Sequence, residues 1–180
     1  TVQLVLDGPA ERFHSIQYSY EWALEHAEKE IYFMNPYLAP PRTTLEAMKA
    51  AARRGVDVRL VLPLKSDVSF ITPLQWTYFK SLLTAGVRVY LMGGGILHKK
   101  VFIVDDYLYC VGSANLDFRS FRTNYEGNVL VYDAAAATER KEYFLKELEQ
   151  CREVTLKDVR TRPFLRRING WIVRLFVRLI

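Results

Sequence analysis

The chain has 180 residues, with 25 Lys+Arg against 20 Asp+Glu and a formal charge of +5; 50% of it is hydrophobic and 13% aromatic. This is one domain's worth of chain, able to bury about 70% of its unfolded surface, which excludes intrinsic disorder, a collagen repeat and a disulfide-stapled miniprotein. No apolar run reaches the ~20 residues of a membrane span, and two cysteines, Cys110 and Cys151, favour a reducing compartment while leaving one disulfide open.

Val2–Leu6 reads as a short strand, broken by Asp7-Gly8-Pro9. Over Ser15–Lys29, the spacing of Ile16, Tyr20, Ala23, Leu24 and Ala27 predicts an amphipathic helix. Glu30–Met34 is a strand, followed by the Pro-rich loop Asn35–Pro41. Thr43 or Thr44 then caps a helix that runs to Arg54 and stops at Gly55. Val56–Leu62 is a strand, Pro63–Ile71 a loop, and Pro73–Ala85 a helix closed by Gly86. Val87–Leu91 is a strand ended by Gly93-Gly94-Gly95. The strands His98–Val104 and Tyr107–Val111 meet at Asp105-Asp106, and a turn with Gly112–Asn115 leads to a strand near Asn128–Tyr132. Asp133 caps an Ala- and Glu-rich helix reaching about Gln150. Strands separated by helical patterns predict an α/β layered fold with a mixed sheet. The expected division is a body over 1–151 and a tail over 152–180.

Charge divides the same way. Residues 152–180 hold eight Lys and Arg against Glu153 and Asp158, a net +6, which leaves the body at −1. A nucleic-acid groove would make the body basic as well, so nucleic acid is not an expected partner. In the tail, Phe164, Leu165, Ile168, Trp171, Ile172, Leu175 and Leu179 fall on one side of a helix. Arg167, Arg174 and Arg178 fall on the other, with Arg166 at the margin. Such a basic amphipathic helix suits an anionic membrane surface, at about 1 kcal/mol per basic residue near the lipid; the competing reading is a helix docked on the domain.

The chemistry concentrates in His98-Lys99-Lys100-Val-Phe-Ile-Val-Asp105 and Gly112-Ser113-Ala114-Asn115, the pattern H-x-K-x4-D-x6-G-S-x-N. On a strand, His98 and Lys100 project from one face and Lys99 from the other. An imidazole beside a permanent cation calls for an anion to share. If the two strands pair, Lys100, Ser113 and Asn115 converge on the anion that His98 attacks or protonates. That is the equipment for phosphoryl transfer. No Cys, His and carboxylate group has metal-ligand spacing.

This pattern, with Asn115-Leu-Asp-Phe-Arg-Ser-Phe121 and Asn124-Tyr-Glu126, resembles the phospholipase D superfamily and its HKD motif. Within it, the chain is similar to the C-terminal catalytic half of bacterial cardiolipin synthases. The similarity extends through Asn35-Pro-Tyr37, Gly55–Arg59, Ala85–Tyr90, Leu130–Asp133 and Cys151–Leu156. It implies a mixed sheet flanked by helices on both faces, with no cofactor and no metal. Two such motifs meet across a pseudo-twofold axis. One His attacks phosphorus to give a phosphohistidine; the other, the expected role of His98, protonates the departing alcohol and then activates the acceptor. Lys100, Ser113 and Asn115 would bind phosphate oxygens, Glu126 would hydrogen-bond the His98 ring, and Asp105 and Gly112 would be structural.

The implied activity is transfer of a phosphatidyl group between two phosphatidylglycerols with release of glycerol, at the bacterial cytoplasmic membrane. The alternatives are a phospholipase D or nuclease using water, and a non-catalytic lipid-binding half-module. Only one motif is present and the chain opens on Thr1. The expectation is therefore a piece of a longer chain, completed by a second HKD half from the same polypeptide or a homodimer.

Overall fold

The central strands are apolar on both faces: Ile31, Tyr32, Phe33 and Met34 in one strand, and Leu60, Val61 and Leu62 in another, are almost completely buried. Strands of that kind need a helical layer on each side. The computed structural model describes residues 1–176; Arg178 and Leu179 of the expected tail helix lie outside them. In chain order the elements are β1 (Val2–Asp7), α1 (Ser15–His26), β2 (Glu30–Met34), β3 (Leu38–Ala39), α2 (Arg42–Arg53) and β4 (Asp57–Pro63). They continue with α3 (Ile71–Ala85), β5 (Arg88–Met92), β6 (Val101–Val104), β7 (Leu108–Gly112), β8 (Leu116–Asp117) and α4 (Phe118–Arg122). The chain then forms β9 (Glu126–Tyr132), α5 (Ala134–Leu148), β10 (Cys151–Val154), α6 (Leu156–Thr161) and α7 (Phe164–Phe176).

Eight strands make one mixed sheet in the order β1-β9-β7-β6-β2-β4-β5-β10. β2, β4 and β5 run parallel, joined by α2 and α3, while every other neighbouring pair is antiparallel. Ile31, Phe33, Leu60, Val89, Phe102 and Cys110 face a large core with α1, α2 and α3; Tyr32, Met34, Val61, Tyr90 and Ile103 face a smaller one with Phe144 of α5. Helices thus cover both faces. β3 and β8 pair separately, Leu38 with Leu116 and Ala39 with Asp117.

Several local expectations give way to tertiary contacts. Neither Thr43 nor Thr44 caps α2, whose N-cap is Pro41. Their hydroxyls bond α1 instead: Thr44 donates to Glu21 at 2.8 Å, and Thr43 accepts from Gln17 at 2.9 Å. α3 starts at Ile71, two residues early, because Pro73 is tolerated in a first turn whose N–H groups have no helical partner. β6 starts at Val101, so His98 and Lys100 precede the strand. β10 straddles the expected 151/152 division and pairs with β5 at the sheet edge. After it, Thr155 and Asp158 form a capping box that starts α6.

α7 packs on α3 through Gly170, where an added Cβ would stand 2.6 Å from the Pro73 carbonyl oxygen. Arg174 lies over the Tyr78 ring at 4.6 Å. The helix is therefore docked, and Phe164, Leu165, Ile168, Trp171, Ile172 and Leu175 remain exposed.

Candidate active site

Antiparallel pairing of β6, β7 and β9 brings three separated pieces of sequence to one end of the sheet. The Gly112 N–H donates to the Lys100 carbonyl at 3.1 Å, extending the β6–β7 ladder back toward His98, and the Ser113 N–H donates to the Gly127 carbonyl at 3.0 Å. Gly112 is required there: a Cβ would stand 2.0 Å from Asn128 Oδ1 and 2.5 Å from the Gly127 carbonyl oxygen.

His98 is exposed and Lys100 is buried. The Lys100 ammonium lies 2.9 Å from His98 Nδ1 and donates to the His98 carbonyl at 2.9 Å. It also lies 3.2 Å from Nε2, so both ring nitrogens sit beside the cation. Burial pushes Lys100 below the ordinary lysine range, partly opposed by the carboxylates of Glu126, Asp67 and Asp117. Lys99 turns away, to an ion pair with Glu147 on α5.

Glu126 does not hydrogen-bond His98. Its carboxylate accepts instead from Ser113 Oγ, from Ser120 Oγ at 2.8 Å and from Asn124 Nδ2 at 3.2 Å. Ser120 Oγ in turn accepts the Asn115 N–H at 3.0 Å, so Glu126 ties both ends of the Ser113–Asn115 turn. Ser113 Oγ also accepts the Gly127 N–H at 3.0 Å. The Asn115 side chain makes no hydrogen bond among the described residues, and its Oδ1 is buried without a partner.

Asp105 sits at the β6–β7 hairpin with φ 47°, a left-handed conformation that Asp tolerates better than most residues. Its carboxylate accepts the N–H groups of Glu28, Lys29 and Glu30 at 3.1, 2.8 and 2.9 Å. That stitches the hairpin to the start of β2, away from the imidazole.

Sequence reasoning missed three residues, Asn35, Asn128 and Asp67, and left Asp117 between positioning phosphate and stapling the turn. Asn35 Oδ1 accepts the Leu116 and Tyr37 N–H groups at 3.1 and 3.3 Å. Asn128 Oδ1 accepts the Ala114 N–H at 3.3 Å, so the two amides pin the turn that carries Ser113 and Asn115. Asp67, from the β4–α3 loop, accepts from Tyr37 at 3.0 Å. Burial works against its charge, but hydrogen bonds from Tyr37, Ser66 and the Val68 N–H outweigh it and hold the carboxyl below the usual range. Asp117 accepts the Ser120 N–H at 2.8 Å, yet burial raises its carboxyl. An amide just before Pro36, or at the head of the apolar run that follows Asn128, was the available signal for Asn35 and Asn128; nothing local marked Asp67.

One cation, one hydroxyl, one amide and an imidazole therefore share the end of a mixed sheet between helical layers. That is the architecture and equipment of a phospholipase D-like domain. The family model described as "Cardiolipin synthase, PLD-like domain" matches residues 21–148, and the chain belongs to that family. A cardiolipin synthase from Clostridium perfringens is 38% identical over 173 residues, which cover 96% of this chain and 36% of that protein. The chain thus spans about a third of the length of such relatives. Two solved structures share the fold. Nuc from Salmonella typhimurium, a phospholipase D family member, has a TM-score of 0.73 at 23% identity, over 86% of this chain and 97% of its own. A phosphatidylserine synthase from Haemophilus influenzae has 0.72 at 18% identity, over 99% of this chain and 45% of its own.

Proposed function

We propose that the chain is one catalytic half of a cardiolipin synthase-type phosphatidyltransferase that moves a phosphatidyl group between two phosphatidylglycerols and releases glycerol. The observation that carries this reading is the convergence of His98, Lys100, Ser113 and Asn115 at the ends of β6, β7 and β9, in a chain 38% identical to a cardiolipin synthase.

In this reading the donor phosphodiester is held by the Lys100 ammonium, the Ser113 hydroxyl and the Asn115 amide. Ser113 has one proton and gives it to Glu126, so binding phosphate requires that proton to turn. The histidine of a second HKD half attacks phosphorus, and the bond to the glycerol oxygen breaks as His98 supplies its proton. His98 then takes the proton of the acceptor hydroxyl, whose oxygen forms the new P–O bond while the P–N bond breaks. No hydrogen bond joins Glu126 to the imidazole among the described residues, so its role here is to position Ser113 and, through Ser120, Asn115. Asp105 and Gly112 hold the scaffold, and the catalytic unit lies within residues 1–151.

A second half on the same polypeptide is supported by relatives almost three times as long. Val2, Leu4 and Leu6 support it too. They are 62–66% exposed on one face of β1, and Leu6 pairs with Gly127, whose N–H bonds Ser113. Apolar surface therefore adjoins the cluster where the second half would sit. The exposed apolar side of α7 supports a location against the bacterial cytoplasmic membrane, and the near-neutral body speaks against nucleic acid as substrate.

The test is incubation of the complete enzyme with phosphatidylglycerol, with His98→Ala as control. Cardiolipin plus glycerol from the wild type, reduced about 10²–10⁴-fold in the variant, is the expected result. Phosphatidic acid as sole product makes it a lipase, and full activity in the variant removes His98 from the chemistry.

A further inference from the structure

A transferase of this kind handles two anionic lipids, and the HKD cluster provides cationic and neutral donors for one phosphate. The acceptor carries its own phosphodiester, which needs a separate place near enough for its hydroxyl to reach the reacting phosphorus.

A pocket of about 330 Å³ lies between the β4–α3 loop, the first turn of α3 and the start of α7, lined by Lys65, Ser66, Ser69, Thr72, Pro73, Arg162, Arg166 and Asn169. It has three cations and no carboxylate. Among the described residues none of the three is in an ion pair. Arg162 follows α6 in an extended conformation, and Arg166 lies in the first turn of α7. Burial and the charge of Arg166 both work against the charge of Arg162, an arrangement that an anion would relieve. Arg162 is also held in place, its guanidinium 4.3 Å from the centre of the Trp76 ring, so little conformational entropy remains to be lost on binding. Thr72 Oγ1 accepts the Ser66 N–H at 3.0 Å and gives its own proton to no described residue; Ser69 Oγ makes no hydrogen bond among them. Cations and free hydroxyl donors without a competing acid suit a phosphodiester.

Lys65 and Ser66 line a second hollow, walled by Asp67, Met92 and the Gly93–Ile96 loop. That loop runs directly into His98, and Asp67 is one of the carboxylates acting on Lys100. Leu165 and Ile168, the sequence neighbours of Arg166 and Asn169 in α7, are exposed.

We propose that Lys65, Arg162 and Arg166, with the Ser69 and Thr72 hydroxyls, form the site for the phosphodiester of the acceptor lipid, in line with the transferase reading on which this rests. Arginines that would otherwise count as general membrane charge then become determinants of the acceptor.

The experiment compares two reactions of the complete enzyme in phosphatidylglycerol–detergent micelles: cardiolipin formation, and exchange of labelled free glycerol into phosphatidylglycerol. Exchange uses the same donor, the same phosphoenzyme and the same micelle, but a neutral acceptor without phosphate. The Lys65→Gln/Arg166→Gln variant changes two exposed side chains outside the HKD cluster. The expected result is cardiolipin formation lowered at least about tenfold at sub-saturating lipid, with exchange within about twofold of wild type. Arg162→Lys, which keeps charge but not the planar fork, should show the same selectivity more weakly. Equal losses in both reactions, or no loss in either, overturn the acceptor site. A wild type that exchanges glycerol or hydrolyses lipid but makes no cardiolipin overturns the transfer between two phosphatidylglycerols itself, and the acceptor site with it.

Discussion

Lys100 carries the conflict at the heart of the site: the proposed hold on a phosphate requires it charged, yet it is buried against an imidazole. Burial favours the neutral amine, so its proton leaves at a lower pH than the ordinary lysine value of about 10.4. Substrate affinity should therefore weaken as pH rises through that lowered value. A KM–pH profile of the complete enzyme should show this alkaline rise, and Lys100→Arg, charged throughout, should lack it. A profile unchanged by the substitution separates Lys100 from phosphate binding. Gly112 poses a steric problem instead. With Asn128 Oδ1 2.0 Å from a hypothetical Cβ, Gly112→Ala must displace the amide that holds Ala114 or distort the end of β7. Urea denaturation should show a loss at or above the usual overpacking cost of about 1–3 kcal/mol. A change below about 0.5 kcal/mol would mean that the turn gives way freely.

Among elements, helix termini show how tertiary contacts replace local signals. α1 has no side-chain cap of its own; Asp7, at the end of β1, accepts the Ser15 and Ile16 N–H groups at 3.0 and 2.7 Å. Asp133 and Asp117 are ordinary caps of α5 and α4, and the first of them was readable from sequence. α7 carries the element-scale prediction. Its contact with α3 runs through Gly170 and Arg174, leaving Leu165 and Ile172 exposed. The variant Leu165→Ser/Ile172→Ser should therefore keep the unfolding midpoint, while flotation with phosphatidylglycerol-containing vesicles weakens at least about tenfold, as loss of two inserted aliphatic side chains requires. Unaltered flotation would leave α7 as a docked helix only.

For the whole molecule, the edge of the sheet is the revealing feature. β1 buries Val5 and presents Val2, Leu4 and Leu6 outward beside the HKD end. An exposed apolar edge is a liability unless something covers it. Leu4→Lys/Leu6→Lys should leave the stability of the 180-residue chain within about 0.5 kcal/mol, since neither side chain is buried in it. The same pair of changes should lower turnover of the complete enzyme at least about tenfold by disturbing the join between halves. Full turnover would place the second half elsewhere.

Much of this protein is written in its sequence. Periodicity and breakers placed the strands from Glu30 to Tyr132 to within a few residues, because buried strands and amphipathic helices carry short-range signals. The spacing of His98, Lys100, Ser113 and Asn115 announced that these residues would gather at one end of the sheet, because a β-hairpin turns fixed spacing into fixed geometry. The two-residue β3–β8 pairing was not legible, nor was the strand Cys151–Val154 at the start of a basic tail. Both are too short to signal themselves and exist only because a partner strand is present. Glu126 was found as a residue but not in its contacts: Ser113, Ser120 and Asn124 claim its carboxylate in place of His98. Composition fixed the basic excess in the last thirty residues. Only the fold decided that Arg162 and Arg166 meet Lys65 in a pocket without an acid, because contacts between elements far apart in the chain depend on packing rather than on local pattern.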